Sequence, residues 1–292
     1  MSGTKQRTLI EPGTGTHAWA YLVAVPAAAA VLVPFAWLVC AALKGNEDFF
    51  TSPFLPKGTG FLGVAWERIS LDNFRHLFAQ TGIARALLIS SLLSSVSAVL
   101  ATLCCAMAGY ALARLDFVGK RVVLWLVLAG LIVPPTLLVA PGYQVLYSLN
   151  LIDSLWGLIL PAAAPALGVY LFRQAIQTAV PRELLEAARM DGCGDVRAFF
   201  RVVLPLVQPM VSAFLLLSFL AMWNNFLSPQ VVLQEPRSFP LAVTIAQLKN
   251  VYYQDYGLLM AGTLFAILPV AMLFLVLQKD FVAGLTAGAV KG

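Results

Sequence analysis

Long stretches without a charged residue alternate along this chain with short segments in which charges crowd together. The uncharged runs cover 12–43, 86–113, 122–152, 154–172, 202–234 and 256–278. Each can supply the roughly 20 apolar residues that a helix needs to cross the hydrocarbon core of a bilayer. The best remaining uncharged stretch, 238–248, would cover only about half of that thickness as a helix. The pattern predicts an all-α, polytopic membrane protein with about six transmembrane helices. Composition agrees, because 60% of the 292 residues are hydrophobic, 11% are charged and mean hydropathy is +0.84. A soluble domain of ordinary make-up is far less apolar.

An even number of spans puts both termini on one side, and the basic residues say which. With the termini inside, the cytoplasmic set is Lys5, Arg7, Arg114, Lys120, Arg121, Arg173, Arg182, Arg189, Arg197, Arg201, Lys279 and Lys291, against seven Lys and Arg outside. The positive-inside rule therefore favours cytoplasmic termini and a multi-pass protein of the cytoplasmic, inner membrane. The net charge of +5 is a topology signal and needs no nucleic acid to explain it. The apolar run near Ala18 continues to Leu43, longer than the core of about 7 to 15 residues in a cleavable signal. It reads as a retained first transmembrane helix, 18–43, behind a cytoplasmic tail, 1–17, and ahead of an extracytoplasmic loop, 44–83.

Within that loop Leu71, Phe74, Leu77 and Phe78 recur at helical spacing, which predicts a short amphipathic helix. The second span carries Ser90, Ser91, Ser94, Ser95, Ser97, Ala98, Ala101 and Thr102. Such small residues let helix backbones approach closely in lipid, or line a wet path. Pro134-Pro135 interrupts the third span, a break tolerated only against protein or a hydrated cavity.

Enzyme chemistry finds no support. Gly58, Gly60 and Gly63 match a dinucleotide-binding spacing, but they follow prolines in a loop with no preceding strand. No G-x-x-x-x-G-K-[ST] sequence is present, so ATP would have to be bound by another chain. His17 and His76 have no second metal ligand at useful spacing, and Cys40, Cys104, Cys105 and Cys193 show no metal-type spacing. No catalytic group, metal site or cofactor is expected in this chain. The spans also lack ionisable residues in their middles, which disfavours an ATP-independent, ion-coupled solute carrier. Tyr143, Gln144, Asn224 and Asn225 supply the polarity, with Trp223 and Phe226 beside the asparagines. Amides next to aromatic faces suit a hydroxylated solute, or else lock two helices together.

The most informative charged segment runs from Pro181 to Pro205. Pro181 suits a first helical position, Glu183 and Glu186 lie where the helix dipole favours anions, Gly192 to Gly194 can turn the chain, and Asp195 can cap a second helix. A helix, turn, helix unit between membrane spans must stand in water and face a soluble partner. Four arginines are balanced there by Glu183, Glu186, Asp191 and Asp195. Such a neutral, mixed face fits protein rather than DNA.

Glu186-Ala187-Ala188, then Gly192, then Val202-Val203-Leu204-Pro205 resembles the EAA loop of ABC-importer permeases. Asp72 to Phe78, Tyr110 to Phe117, Trp223-Asn224-Asn225-Phe226 and Gly284 to Gly292 are similar to the MalG type of carbohydrate ABC transporter permease. Asn225 stands where that family often carries an acid. The resemblance implies a type I importer permease of MetI-like fold, with a permease core at 84–280, the EAA loop at 181–205 and a cytoplasmic tail at 281–292. It implies import of a sugar or sugar derivative, with a polyol or glycerol phosphate as the alternative. The implied partners are a second homologous permease, two ATPase subunits that hold ATP and Mg, an extracytoplasmic solute-binding protein and the lipid bilayer. By the same resemblance Glu186, Ala187, Ala188, Asp191, Gly192, Leu204 and Pro205 couple to the ATPase, and Thr286, Gly288 and Lys291 approach it. Asn224 and Asn225 are candidates for the solute path.

Overall fold

The computed structural model describes residues 18–249 and 255–289, with side chains for 21–249 and 255–276. The chain divides into two compact units, one comprising residues up to 74 together with 255–264, the other 75–254 together with 265–292. Among the described residues there is no strand beyond one isolated bridge, Lys57 to Val64.

The first unit begins with α1, Ala18–Ala42, which runs through Pro26 and Pro34. Tyr21, Leu22 and Val31 are exposed by 67%, 75% and 63%, an apolar surface suited to lipid and not to water. Beyond it lie α2, Asn46–Thr51, and two 3-10 turns, Phe61–Gly63 and Trp66–Arg68. The Asn73 carboxamide, in the first turn of α3 (Asp72–Gln80), donates to the Ala42 and Lys44 carbonyls, each at 2.8 Å. These are carbonyls that the end of α1 leaves without helical partners. Lys44 is buried and donates to the Ser52 carbonyl at 2.6 Å, while Arg68 pairs with Asp48 at 3.0 Å. The Tyr256 ring stacks on Phe49 at 4.7 Å, and its backbone N–H donates to Asn46 Oδ1 at 2.9 Å. The predicted amphipathic helix is α3, with Leu77 buried and Leu71 and Phe78 largely exposed.

The second unit is built on α4, Ile83–Arg114, followed by α5, Lys120–Ile132, a 3-10 turn at Pro135–Leu138, and α6, Val139–Ser148. Next come α7, Trp156–Ile159, α8, Ala166–Ala179, α9, Arg182–Met190, and α10, Asp195–Ala198. A π turn, Phe199–Val203, leads into α11, Leu204–Leu206, and α12, Gln208–Trp223. The rest is α13, Leu227–Val232, α14, Leu241–Gln247, and the part of α15, Tyr256–Ala289, that follows residue 264.

Among the described residues, three helices are long and apolar enough to cross a membrane, at 21–42, 83–114 and 256–276. Two bent pairs pass the same test of length and composition when each is taken together: α5 with the turn and α6, bent by 104°, and α10–α11 with α12, bent by 86°. The first bend falls at Pro134-Pro135, as the sequence suggests. The uncharged run 154–172 is not one continuous helix, because Pro161 and Pro165 separate the four-residue α7 from the 14-residue α8.

In lipid, helices gain little from burying apolar surface, since the tails around them are equally apolar; close packing and hydrogen bonds hold them together. The serine-rich α4 supplies that packing. Ser90, Ser94, Ser97, Ala98, Ala101, Thr102, Ala106 and Gly109 form its buried face, against which α8 and α12 lie, whereas Ser91 and Ser95 fall outside it. A Cβ at Gly109 would sit 2.7 Å from the Phe172 Cβ and 2.8 Å from the Arg173 backbone nitrogen. Only a glycine lets α8 come so near. One core cluster gathers Cys105, Tyr110, Phe172, Ile176, Phe199 and Phe214; a second gathers Leu93, Leu146, Leu158, Met222 and Val232.

Candidate functional site

The charged segment folds as helix, turn, helix. Pro181 is the cap of α9 and not its first residue, since its extended backbone precedes the helix. At the other end Asp191, Gly192 and Cys193 close α9: the Gly192 N–H donates to the Arg189 carbonyl at 3.0 Å and the Cys193 N–H to the Ala188 carbonyl at 2.9 Å. This pair of bonds is the Schellman closure, which requires a left-handed residue at the turn. Gly192 supplies it with φ of +78°.

The cap of α10 is Gly194, with no side-chain bond; Asp195 does not cap it as the sequence suggests. Its carboxylate instead reaches back across the turn to the Arg189 guanidinium at 3.1 Å. That bond raises Arg189 further above the ordinary arginine range. The ion pair and the Schellman closure hold α9 and α10 as one piece.

Glu186, Ala187, Asp191 and Gly192 are exposed, Ala188 is half-buried, and Leu185 anchors α9 in the core. Met190, at 88% exposed, and Val196, at 67%, stand beside them. Downstream, Leu204 is half-buried and Pro205 exposed. Pro205 has no N–H to give to the preceding turn. The chain widens into a π turn immediately before it and bends at Val207. Thr286 and Gly288 fall within α15, which runs on to Ala289 through most of the expected 281–292 tail. Their side chains, and all of Lys291, lie outside the described residues.

The second feature is a pair of cavities. The larger, of about 320 Å³, lies among α6, α7 and α13 and is lined by Pro135, Gly142, Tyr143, Pro161, Asn225 and Ser228 among others. The smaller, of about 180 Å³, lies between α4 and α12 and is lined by Ser97, Ala101, Pro165 and Ser218. Ala162, Met222 and Asn225 line both.

The two neighbouring asparagines part company here. The Asn224 carboxamide turns back on its own helix and donates to the Leu220 carbonyl at 3.0 Å. Asn225 faces the cavities, with its Oδ1 accepting the Ser228 N–H at 3.2 Å. Gln144 is exposed and lines neither cavity, whereas Tyr143 lines the larger.

Three further residues shape these sites without a motif of their own. Arg114 ends α4 and binds carbonyls at the end of α8. Ser97 lines the smaller cavity, with its hydroxyl buried and closed off from it. Asp153, with φ of +57°, accepts the backbone N–H groups of Gln234 and Glu235 at 2.9 and 3.0 Å, tying the α6–α7 connection to the segment after α13. The arginine at a helix end was the one legible signal among them.

Several helices long and apolar enough to cross a membrane, an exposed two-helix unit and uncharged cavities define a multi-pass membrane protein. The model of the family described as "binding-protein-dependent transport system inner membrane component" matches residues 105–285. The chain belongs to that family.

An arabinooligosaccharide transport system permease protein of Bacillus subtilis is 40% identical over 225 residues, covering 77% of this chain and 80% of the relative. A melibiose/raffinose/stachyose import permease of the same organism is 32% identical over 275 residues, covering 93% and 95%. Among solved structures, a bacterial ABC transporter that imports the acidic polysaccharide alginate matches with a TM-score of 0.74 at 19% identity, over 93% of this chain and 99% of that one. That likeness is one of fold.

Proposed function

We propose that this chain is a permease subunit of an ATP-driven, binding-protein-dependent importer of a sugar or sugar derivative. It pairs with a second, homologous permease, takes loaded solute-binding protein at its outer face, and is driven by two ATPase subunits that carry ATP and Mg. Both termini lie in the cytoplasm. The exposed unit of α9, Gly192 and α10 docks on the ATPase, with Glu186, Ala187, Ala188, Asp191, Leu204 and Pro205 forming or bracing the contact and Thr286, Gly288 and Lys291 approaching it from the C-terminal end.

The observation that carries this reading is mechanical continuity. Two residues separate the end of α8 from the start of α9, and Pro165 at the other end of α8 lines the smaller cavity. α12 begins just beyond the π turn and reaches both cavities with Met222. A push on the docked loop is thereby delivered through two short helices to the cavity walls. Exposed Met190 and Val196 beside the charged turn support a protein partner there. The names of the relatives, which are permeases for arabinooligosaccharides and for melibiose, raffinose and stachyose, support a saccharide as solute. Asn225 lies on the solute path.

The test is to purify the tagged chain from its native membrane in mild detergent and to identify what accompanies it by mass spectrometry. A second permease and an ATPase are expected. Recovery of this chain alone, with ATP-independent uptake intact after reconstitution, would replace the importer by a carrier.

A further inference from the structure

The loop after α1 keeps its charges at its base and its open apolar side chains at a tip. At the base Lys44 is buried on the Ser52 carbonyl, and Arg68 pairs with Asp48. Residues 58–66, between Lys57 and Glu67, carry no charge, and the only polar side-chain group between Lys57 and Trp66 is the Thr59 hydroxyl. This stretch folds as a small hairpin around the Lys57 to Val64 bridge. The Gly58 N–H donates to the Gly63 carbonyl, the Gly63 N–H to that of Gly60 and the Ala65 N–H to that of Pro56, each at 2.9 Å. Gly58 permits the closure, since a Cβ on it would stand 2.5 Å from the Ala65 Cβ.

Three large apolar side chains are left open by this hairpin: Phe61 is 77% exposed, Leu62 79% and Trp66 49%. The Trp66 indole N–H donates to the Phe61 carbonyl at 3.0 Å, so its one polar atom is engaged and its open ring surface is apolar. Leu62 has a φ of +59°, a conformation that glycine or asparagine adopts with far less strain. Exposed as it is, Leu62 offsets little of that strain by packing within the chain. Strain held without an internal return points to a contact outside the chain.

The nature of the tip selects lipid as that contact. A protein partner is met by an aromatic centre with a polar rim, and Thr59 alone makes no rim. Backbone groups that bond to one another, carrying apolar side chains, fit a region where water is scarce. Position agrees. The 25 residues of α1 make a helix about 37 Å long, enough to cross the roughly 30 Å hydrocarbon core. Its lipid-facing surface continues through Phe35 and Val39, still 45% and 40% exposed, almost to its end at Ala42. The loop is tied back to that same end, where the Ser70 N–H donates to the Leu43 carbonyl at 3.1 Å and Asn73 holds the carbonyls of Ala42 and Lys44.

We propose that the hairpin tip, with Phe61, Leu62 and Trp66, is a lipid anchor seated among the headgroups and upper acyl chains of the leaflet at the C-terminal end of α1. This rests on residence of the chain in the membrane and not on which solute is carried.

The test uses the chain with the subunits that accompany it, reconstituted in phosphatidylcholine bilayers with or without phosphatidylcholine brominated high in its acyl chains. Trp66 is one of six tryptophans, so its emission is taken as the difference between wild type and Trp66→Phe. Brominated lipid should quench that difference at least about twofold and aqueous iodide should leave it nearly unchanged, as for an indole at headgroup level. Phe61→Asp combined with Leu62→Asp should exchange the two results. Read on total emission against wild type, this second comparison keeps the indole and does not depend on how Trp66→Phe folds.

Iodide quenching in wild type would put the tip in water, and quenching by neither agent would put it against protein. Iodide quenching that vanishes when loaded solute-binding protein is added would make the tip a docking point for that protein. Each of these outcomes overturns the lipid anchor, as does lipid quenching that the two aspartates leave unchanged.

Discussion

The guanidinium of Arg114, the last residue of α4, donates to the carbonyl oxygen of Gln177 at 3.0 Å. The same nitrogen reaches the Ile176 carbonyl at 3.3 Å and that of Val180. A cation set on the terminal carbonyls of α8 satisfies groups that the helix cannot satisfy itself and opposes the negative end of its dipole. Because Val180 and Pro181 lead directly into α9, the bond also fixes the base of the α9–α10 unit. Arg114→Met is expected to cost about 1 to 3 kcal/mol of stability, the usual worth of charged hydrogen bonds. Arg114→Lys should recover part of it, since an ammonium keeps the charge but stands on a shorter side chain than the nitrogen that makes these bonds. Thermal unfolding of the purified importer measures both.

Gly192 has a φ of +78° with nothing within 4 Å of where a Cβ would stand. Space is therefore not the obstacle to a side chain there; backbone conformation is. Gly192→Val and Gly192→Asp should misplace α10 at about 1 to 2 kcal/mol of left-handed strain and greatly reduce ATP-driven uptake, with the chain still in the membrane. Gly192→Asn should retain more uptake than either, because asparagine tolerates this turn. Equal uptake by all three would remove the turn from coupling.

Asn224→Ala breaks only a bond within its own helix and should leave uptake within about twofold of normal, whereas Asn225→Ala removes a group that lines both cavities and should lower it about fivefold or more. Parallel uptake assays of the two variants decide the matter. Equal effects would return both residues to a packing role.

The Asp153 carboxylate is held below its ordinary value of 3.8 by the Gln234 and Glu235 N–H groups. The depressed value belongs to the folded state. Stabilisation from this clamp is thus fully present above the ordinary carboxylate range and lost as pH falls through the lower, folded value. Asp153→Ala should lower the melting temperature by the same amount at pH 7 and pH 5, and the gap from wild type should close only on stronger acidification. A gap that shrinks already between pH 7 and pH 5 would contradict the geometry.

Gly109→Val places two further carbons against Phe172 and the Arg173 backbone, where even a Cβ has too little room. The α4–α8 contact should open at a cost of about 1 to 3 kcal/mol or more. A reduced yield of folded protein in the membrane would register it.

Much of this was legible along the chain because hydropathy and turn chemistry are local. The bend at Pro134-Pro135, the helix, turn, helix unit and the left-handed turn at Gly192 each follow from residues within a few positions of one another. Asp195 was misjudged for the same reason: as a helix-starting aspartate it suggests a cap, but the Arg189 guanidinium six positions back wins its carboxylate. The run 154–172 reads as a span by charge alone, whereas two prolines in it divide the helix.

By itself the sequence determined residence in the membrane, the number and order of apolar segments, and the presence of an exposed helix, turn, helix segment. These depend on how each stretch partitions between water and lipid, a property of composition over about 20 residues. Only the tertiary structure decided which polar groups face a cavity and which are spent within a helix. Asn224 and Asn225 are the same residue type at adjacent positions, and the serines of α4 differ only in register. The asparagines diverge because Asn224 still closes α12 whereas Asn225 has left it, and the serines because one step along α4 turns a side chain by about 100°. Whether a serine of α4 then meets packed protein or open space is set by α8 and α12, which lie far away in the sequence.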